Sequence, residues 1–208
     1  MTFIKSIIIK YLCTMRYMFM LLLINGFTLI GQTTSGVYGD LSIAVNDSNI
    51  YGIYASGVGG GERTCEIYFQ GVLRDGKTYK IKCYSPYDLK DKDFQYEGIF
   101  SVEKDAVKLK FDSKPLGCQD FITYDKIEKR YVLNEFFDKK EIWKAIYVIV
   151  PMNSTLQEST LPKSKILKKL KRGDIVYCTG IKNGWIACVI KKNGKQYKGY
   201  IKKQDVNL

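Results

Sequence analysis

The side chains best suited to covalent chemistry in this chain are its six cysteines, and they have no obvious base to serve them: the 208 residues include no histidine. A cysteine nucleophile acts as a thiolate, generated by an adjacent base or an electropositive site. Neither is legible around Cys13, Cys65, Cys83, Cys118, Cys178 or Cys188. No two cysteines stand in a Cys-x-x-Cys spacing and there is no histidine, which argues against a zinc site, since such sites normally draw on Cys and His at those spacings. Carboxylates are plentiful, with 21 Asp and Glu. A glycosidase pair, however, needs one carboxyl kept protonated by an apolar setting. Glu97 and Glu103 read instead as solvated strand or turn residues. The cluster "GVGGGERTC" (57–65) invites comparison with a phosphate loop, which requires Gly-Lys-Ser/Thr opening a helix. Here Glu62 and Arg63 follow, then a β-like run, so the cluster reads as a loop. The expectation is a chain that is not an enzyme, with no catalytic residue, metal ligand or cofactor.

Binding chemistry is better represented. Residues 142–208 carry 14 lysines and arginines against three acidic residues, a net of +11, whereas residues 32–141 carry 16 against 18, a net of −2. The basic character therefore belongs to the last third, and the step implies two units with different surfaces. So strong a field source reads either as a solvated basic face or as a patch for an anionic partner. Nucleic acid would suit the charge and the nearby Trp185, Tyr197 and Tyr200. An export signal at the N-terminus argues against that partner, and an acidic protein, an anionic wall polymer or a membrane surface fits better.

That signal is the first of the elements that must position these residues. Lys5, Lys10 and Arg16 lead into the apolar run "YMFMLLLINGFTLIG" (17–31), and polar "QTTSG" follows. This is the layout of a secretory signal peptide, and the run is shorter than the roughly 20 apolar residues of a membrane span. Cleavage is expected near Gly31–Gln32, leaving no stable membrane span and placing the chain in the periplasm or outside the cell. An oxidising compartment permits disulfides, and the five remaining cysteines leave at least one thiol unpaired.

Beyond residue 31 the pattern is strand, turn, strand. From Gly36 to Glu141, runs at 48–56, 64–73, 78–85, 96–111, 121–124 and 130–137 are rich in β-branched and aromatic residues, and Asp75–Gly76 is a hairpin signal. The texture changes near 139–144. A strand at 143–150 ends at Pro151, and 151–164 reads as a long polar loop. The segment 165–174 reads as a strand and turn, and further strands follow at "IVYCTG", "WIACVI" and 197–203, joined through Asn183–Gly184 and Asn193–Gly194. The predicted fold is all-β: a small antiparallel β-barrel or sandwich over 32–141, and a five-stranded barrel over 142–208.

Residues 145–208 resemble the bacterial SH3-like (SH3b) domain. The resemblance is carried by Gly173-Asp174-Ile175-Val176, Gly184-Trp185, Asn193-Gly194-Lys195 and Gly199-Tyr200-Ile201, in that order and spacing. The Arg-Ser-Gly-Pro loop that many members carry is replaced by "LQESTLP" (156–162). The resemblance implies that Trp185 lines a groove, with Tyr147 and Tyr200 sharing its surface and Lys191 and Lys192 supplying charge beside it. Residues 51–54, 65–71, 96–100 and 115–118 resemble the leading domain of secreted bacterial proteins of unknown function that end in an SH3-like module. That second resemblance implies a Cys65–Cys118 disulfide and leaves Cys83 as the odd thiol. In the SH3-like pattern Cys178 and Cys188 fall at core positions on neighbouring strands. A bridge between them is open if the hairpin sets them opposite each other and closed if a strict two-residue turn opposes 178 to 189.

The functional expectation is an exported binding protein of the cell envelope, its partner an envelope polymer or an envelope protein. The alternative is an inhibitor or immunity factor directed at an envelope-degrading enzyme.

Overall fold

The short apolar runs, interrupted by Gly, Asn and Asp turns, build two antiparallel sheets. The structure, a computed structural model, describes residues 34–58, 63–84, 96–103, 106–115, 118, 120–192 and 194–207. The candidate export segment, residues 59–62 of the glycine loop, 104–105 of the following polar corner, and Asn193 lie outside the described residues.

The first sheet comprises β1 (Gly36–Tyr38), β2 (Leu41–Asn46), β3 (Asn49–Val58), β4 (Arg63–Asp75), β5 (Thr78–Tyr84), β6 (Tyr96–Val102), β7 (Ala106–Phe111), β8 (Thr123–Asp125) and β9 (Arg130–Lys140). The strands follow one another around the sheet, and β9 pairs with both β7 and β1, which closes an eight-stranded barrel. One edge of β9 serves two partners in succession: Arg130–Val132 pair with β8, and Phe137–Lys140 with β1. Closure leaves the barrel strands without the open edges that template aggregation.

Alternation fills the interior. Ile50 and Tyr54, Cys65, Ile67 and Phe69, Ile81 and Cys83, and Val107, Leu109 and Phe111 belong to one buried core. Eight strands leave a bore that side chains can fill. At Gly52 the Phe69 ring occupies the space a Cβ would need, so a small residue here is a packing requirement. Cys65 and Cys118 are joined by a disulfide across a sequence separation of 53, both fully buried. Cys83 is a free buried thiol. The turn after β4 closes one residue later than the Asp-Gly pair predicts. Asp75 pairs with Thr78 across Gly76 and Lys77, after a register shift beyond Leu73.

The second sheet comprises β10 (Ala145–Val148), β11 (Ser154–Gln157), β12 (Ile166–Leu170), β13 (Ile175–Lys182), β14 (Trp185–Lys192) and β15 (Lys195–Lys202), in the order β10-β13-β14-β15-β11-β12. Strand β11 lies inside the stretch expected to be polar loop. Its Ser154 and Leu156 are buried, and Gly199 lets its backbone approach β15, since a Cβ there would meet Gln157 O. A four-residue strand with two hydroxyls carries too weak an alternation to be read from sequence alone.

Among the described residues no strand is shared between the sheets, and Thr33–Leu208 form one compact unit. The connection is β10, buried along its whole length. Ala145 and Tyr147 face the core of the second sheet. Ile146 and Val148 pack with Ala44, Ile53 and Tyr68 from the barrel in a separate cluster. Two hydrogen-bond networks pin the junction. Ser35 Oγ donates to Trp143 O at 2.7 Å and accepts from Val45 N–H at 2.8 Å. Tyr68 Oη donates to Ile146 O at 3.1 Å, fully buried. Tyr68→Phe removes that donor and strands a buried carbonyl, an expected loss of about 1–3 kcal/mol in denaturant unfolding. A change below a few tenths would mean that water replaces the bond.

The β13–β14 hairpin resolves the register of its two cysteines. Lys182 pairs directly with Trp185, so the Asn183–Gly184 turn is a two-residue turn, with positive φ at both positions. A register shift between Cys178 and Gly180 then returns Cys178 to a position opposite Cys188. Thr179 is the extra residue, and its hydroxyl donates to Ala187 O at 3.1 Å. The Cys178–Cys188 bridge is nevertheless not formed: both are free, buried thiols in the core of the second sheet. Opposed register brings two thiols near each other, but they also pack as small apolar groups. Burial pushes the Cys188 thiol up to about 12, and the adjacent Cys178 adds to the shift. Burial likewise raises Cys83, and it raises Cys178 against the opposing effects of the Gly180 backbone and of Lys144. Peptides carrying Cys83, Cys178 and Cys188 should therefore take up iodoacetamide at pH 8 only after denaturation. Absence of label from both Cys178 and Cys188 in the unfolded, unreduced chain would show that they are bridged.

Candidate functional site

Alternation along β14 sends Ile186, Cys188 and Ile190 into the core and sets Trp185, Ala187, Val189 and Lys191 on the opposite face. The ladder with β15 places Lys202, Tyr200, Lys198 and Gln196 beside these four in turn. On β13 the residues opposite Trp185, Ala187 and Val189 are Lys182, Gly180 and Tyr177. This outer face holds a cleft of about 420 Å3, and its lining includes Trp143, Ala187, Val189, Lys191, Lys198 and Tyr200. Glu141 and Glu158 stand in the same lining. Small residues form the floor, and charged and aromatic ones the rim.

One end of the cleft is tightly organised. Trp143 is buried and stacks on Tyr177 with ring centroids 4.3 Å apart and planes tilted by 35°. Lys191 Nζ lies 4.5 Å from the Trp143 centroid and 4.9 Å from that of Tyr177. Such cation–π contacts contribute roughly 0.5–2 kcal/mol, more as the cation is desolvated. Glu141 Oε1 approaches Lys191 Nζ at 3.8 Å and Lys139 Nζ at 3.3 Å. Partial burial holds the Lys191 ammonium below the usual lysine value; Lys139 adds to that effect and Glu141 opposes it. Lys191 is thus chiefly a pin between the barrel's last strand and the second sheet.

The five residues picked out as ligand-binding are not brought together. Tyr200 and Lys191 line the cleft. Trp185 is half-buried on the same face, but six residues of strand, about 20 Å, separate it from Lys191. Tyr147 points into the core, 5 % exposed, with its ring edge-on to Tyr51 at 5.8 Å. It is a packing residue, because the strand that carries it is covered on both faces. Lys192 faces the other way and is held by both carboxylate oxygens of Asp174, at 2.8 and 2.9 Å. Sequence reasoning missed Trp143 and Tyr177. Their signal was period-two register with Lys191, and it is legible only once β13 and β14 are aligned.

Other candidates fall to the surface. Glu97 pairs with Lys80 at 2.9 Å, both exposed, and exposed Glu103 pairs with half-buried Lys108 at 3.1 Å. Among the described residues, no group of three or more His, Cys, Asp or Glu side chains is placed to hold a metal ion. Among the described residues no helix is long and apolar enough to cross a membrane. Compared with the profiles of known protein families, with curated proteins and with solved structures, the chain matches none.

Proposed function

We propose that this chain is an exported, non-enzymatic binding protein of the cell envelope, that its second sheet is an SH3-like module, and that it engages its partner through the outer face of that sheet. The observation that carries this reading is the cleft beside Tyr200 and Lys198, floored by Ala187 and Val189 and open to solvent. A binding surface needs a concave patch with a few placed polar groups, and this cleft has both. A disulfide in the barrel suits an oxidising compartment, in keeping with the signal-like N-terminus.

Immobilised protein should retain envelope polymer from a cell-wall extract, and Trp185→Ala together with Tyr200→Ala should reduce that retention while the β circular-dichroism spectrum and cooperative unfolding are kept. Retention unchanged in the double variant would remove the outer face from the reading. Capture of one stoichiometric enzyme, with loss of its activity, would replace binding by inhibition. The disulfide-tied barrel favours that second reading, since a pre-organised surface binds with little ordering cost.

A further inference from the structure

The outer face of the second sheet carries a lattice of lysines that have no acidic partners among the described residues. Lys182 and Lys202 flank Trp185 on the neighbouring strands. Lys198 follows Lys202 on the same face of β15, and Lys169 stands opposite Thr155 on the β11–β12 ladder. All four are exposed. Among the described residues, the ion pairs of this sheet go to Lys191 and Lys192 instead. Strand geometry sets the spacing: Lys182 and Lys202 are two strands apart, about 10 Å, and Lys202 and Lys198 are four residues apart, about 13 Å.

Two clefts lie on this lattice. The first, described above, contains Lys198 and Tyr200. The second, about 490 Å3, is lined by Lys169, Lys202, Thr155, Gln157, Gln204 and Asp205 among others. Gln157 of the second pairs with Tyr200 of the first. Asp205 accepts a hydrogen bond from Ser154 Oγ at 2.6 Å. Glu158 contributes a carboxylate to the first cleft. Along the track Lys169, Lys202 and Lys198 stand against the carboxylates of Glu158 and Asp205, and Thr155, Gln157 and Tyr200 add hydroxyls and an amide; the Glu141 carboxylate is engaged by Lys139 and Lys191. A phosphate-bearing chain would place its charges on the lysines, and its free hydroxyls would meet Thr155, Gln157 and Tyr200. The aromatics on the face are half-buried within the sheet, so they offer little open ring for stacked bases. The clefts are grooves, unlike the flat or protruding apolar face that enters a lipid surface.

We propose that this face binds an extended polyol-phosphate polymer, with phosphates along the chain on Lys169, Lys202 and Lys198 and with Lys182 at the end of the track. The proposal rests on the outer-face reading above and names its ligand class. The test is binding of the full chain to lipid-free poly(glycerol phosphate) as a function of salt. The comparison proteins are Lys198→Glu/Lys202→Glu and, as a control with the same change in net charge, Lys126→Glu/Lys129→Glu on the barrel turn after β8. The face variant is expected to lose about 10-fold or more in affinity, and Lys198→Gln/Lys202→Gln to lower the salt slope by about 1.4, by the counterion-release rule for single strands. The barrel control should stay within about 3-fold, because charges far from the ligand are screened beyond about 8–10 Å. Equal losses in the face and barrel variants would reduce the effect to bulk charge and overturn the proposal. So would tighter binding to a 20-mer of thymidylate, to phosphatidylglycerol vesicles or to poly-glutamate, which would assign the face to nucleic acid, membrane or acidic protein. Retention of envelope material without affinity for the polyol-phosphate would sink this inference alone. Affinity for the polymer without retention of any envelope material would sink the envelope reading and leave the site.

Discussion

Replacing Cys65 and Cys118 together by alanine is expected to lower the unfolding free energy by about 4 kcal/mol, the largest loss from any pair of substitutions considered for the barrel. The bond spans 53 residues of sequence, and loop-closure entropy places such a bridge between about 3 kcal/mol for a 15-residue loop and about 4.7 for 100 residues. For a domain of this size the melting temperature should fall by about 8–16 °C. Alanine is the right replacement because both positions are fully buried in the apolar core, where a serine hydroxyl would add an unpaired polar group. The same loss is expected when the wild-type chain is unfolded with and without dithiothreitol. Coincident melting curves with and without reductant would mean that the bridge does not form in the folded protein, whatever the geometry permits.

Trp143→Ala should cost about 3–5 kcal/mol, the range for truncating a buried aromatic, and it should also change how the molecule unfolds. Trp143 belongs to the cluster between barrel and second sheet, together with Ala44, Ile53, Tyr68, Ile146 and Val148. Its ring also supports Lys191, which reaches back to Glu141 at the end of the barrel. With the ring gone, the two sheets keep their own cores but lose the largest side chain of the shared one. Two thermal transitions should then replace one, and the second sheet should melt first, because its core is the smaller and it contains no disulfide. A single sharp transition displaced to lower temperature would show that β10 alone couples the two cores.

The β character was legible because period-two alternation and an Asn-Gly turn act locally, and the texture change near residue 140 falls where one sheet ends and the other begins. A strand half-buried on one face must alternate, and a two-residue turn needs residues that accept positive φ. The long runs "IYGIY" and "CEIYF" carried a further signal: apolar residues on both faces, which meant that something had to cover the barrel's outside. What covers it is β10, and nothing in "AIYV" specifies which neighbour takes Ile146 and which takes Tyr147.

Sequence alone determined the β type of most elements, the Asn183–Gly184 turn and the charge step between the two parts, since each follows from the residues within a few positions. The tertiary structure decided how the barrel closes, which thiols pair, and which side chains reach a surface. Closure depends on β9 meeting β1 across about 100 residues. One extra residue at Thr179 fixes the register of Cys178 against Cys188. Covering β10 on both faces turned Tyr147 from a groove residue into core. Each of these depends on contacts made far along the chain, and their strength is set by packing that no local pattern encodes.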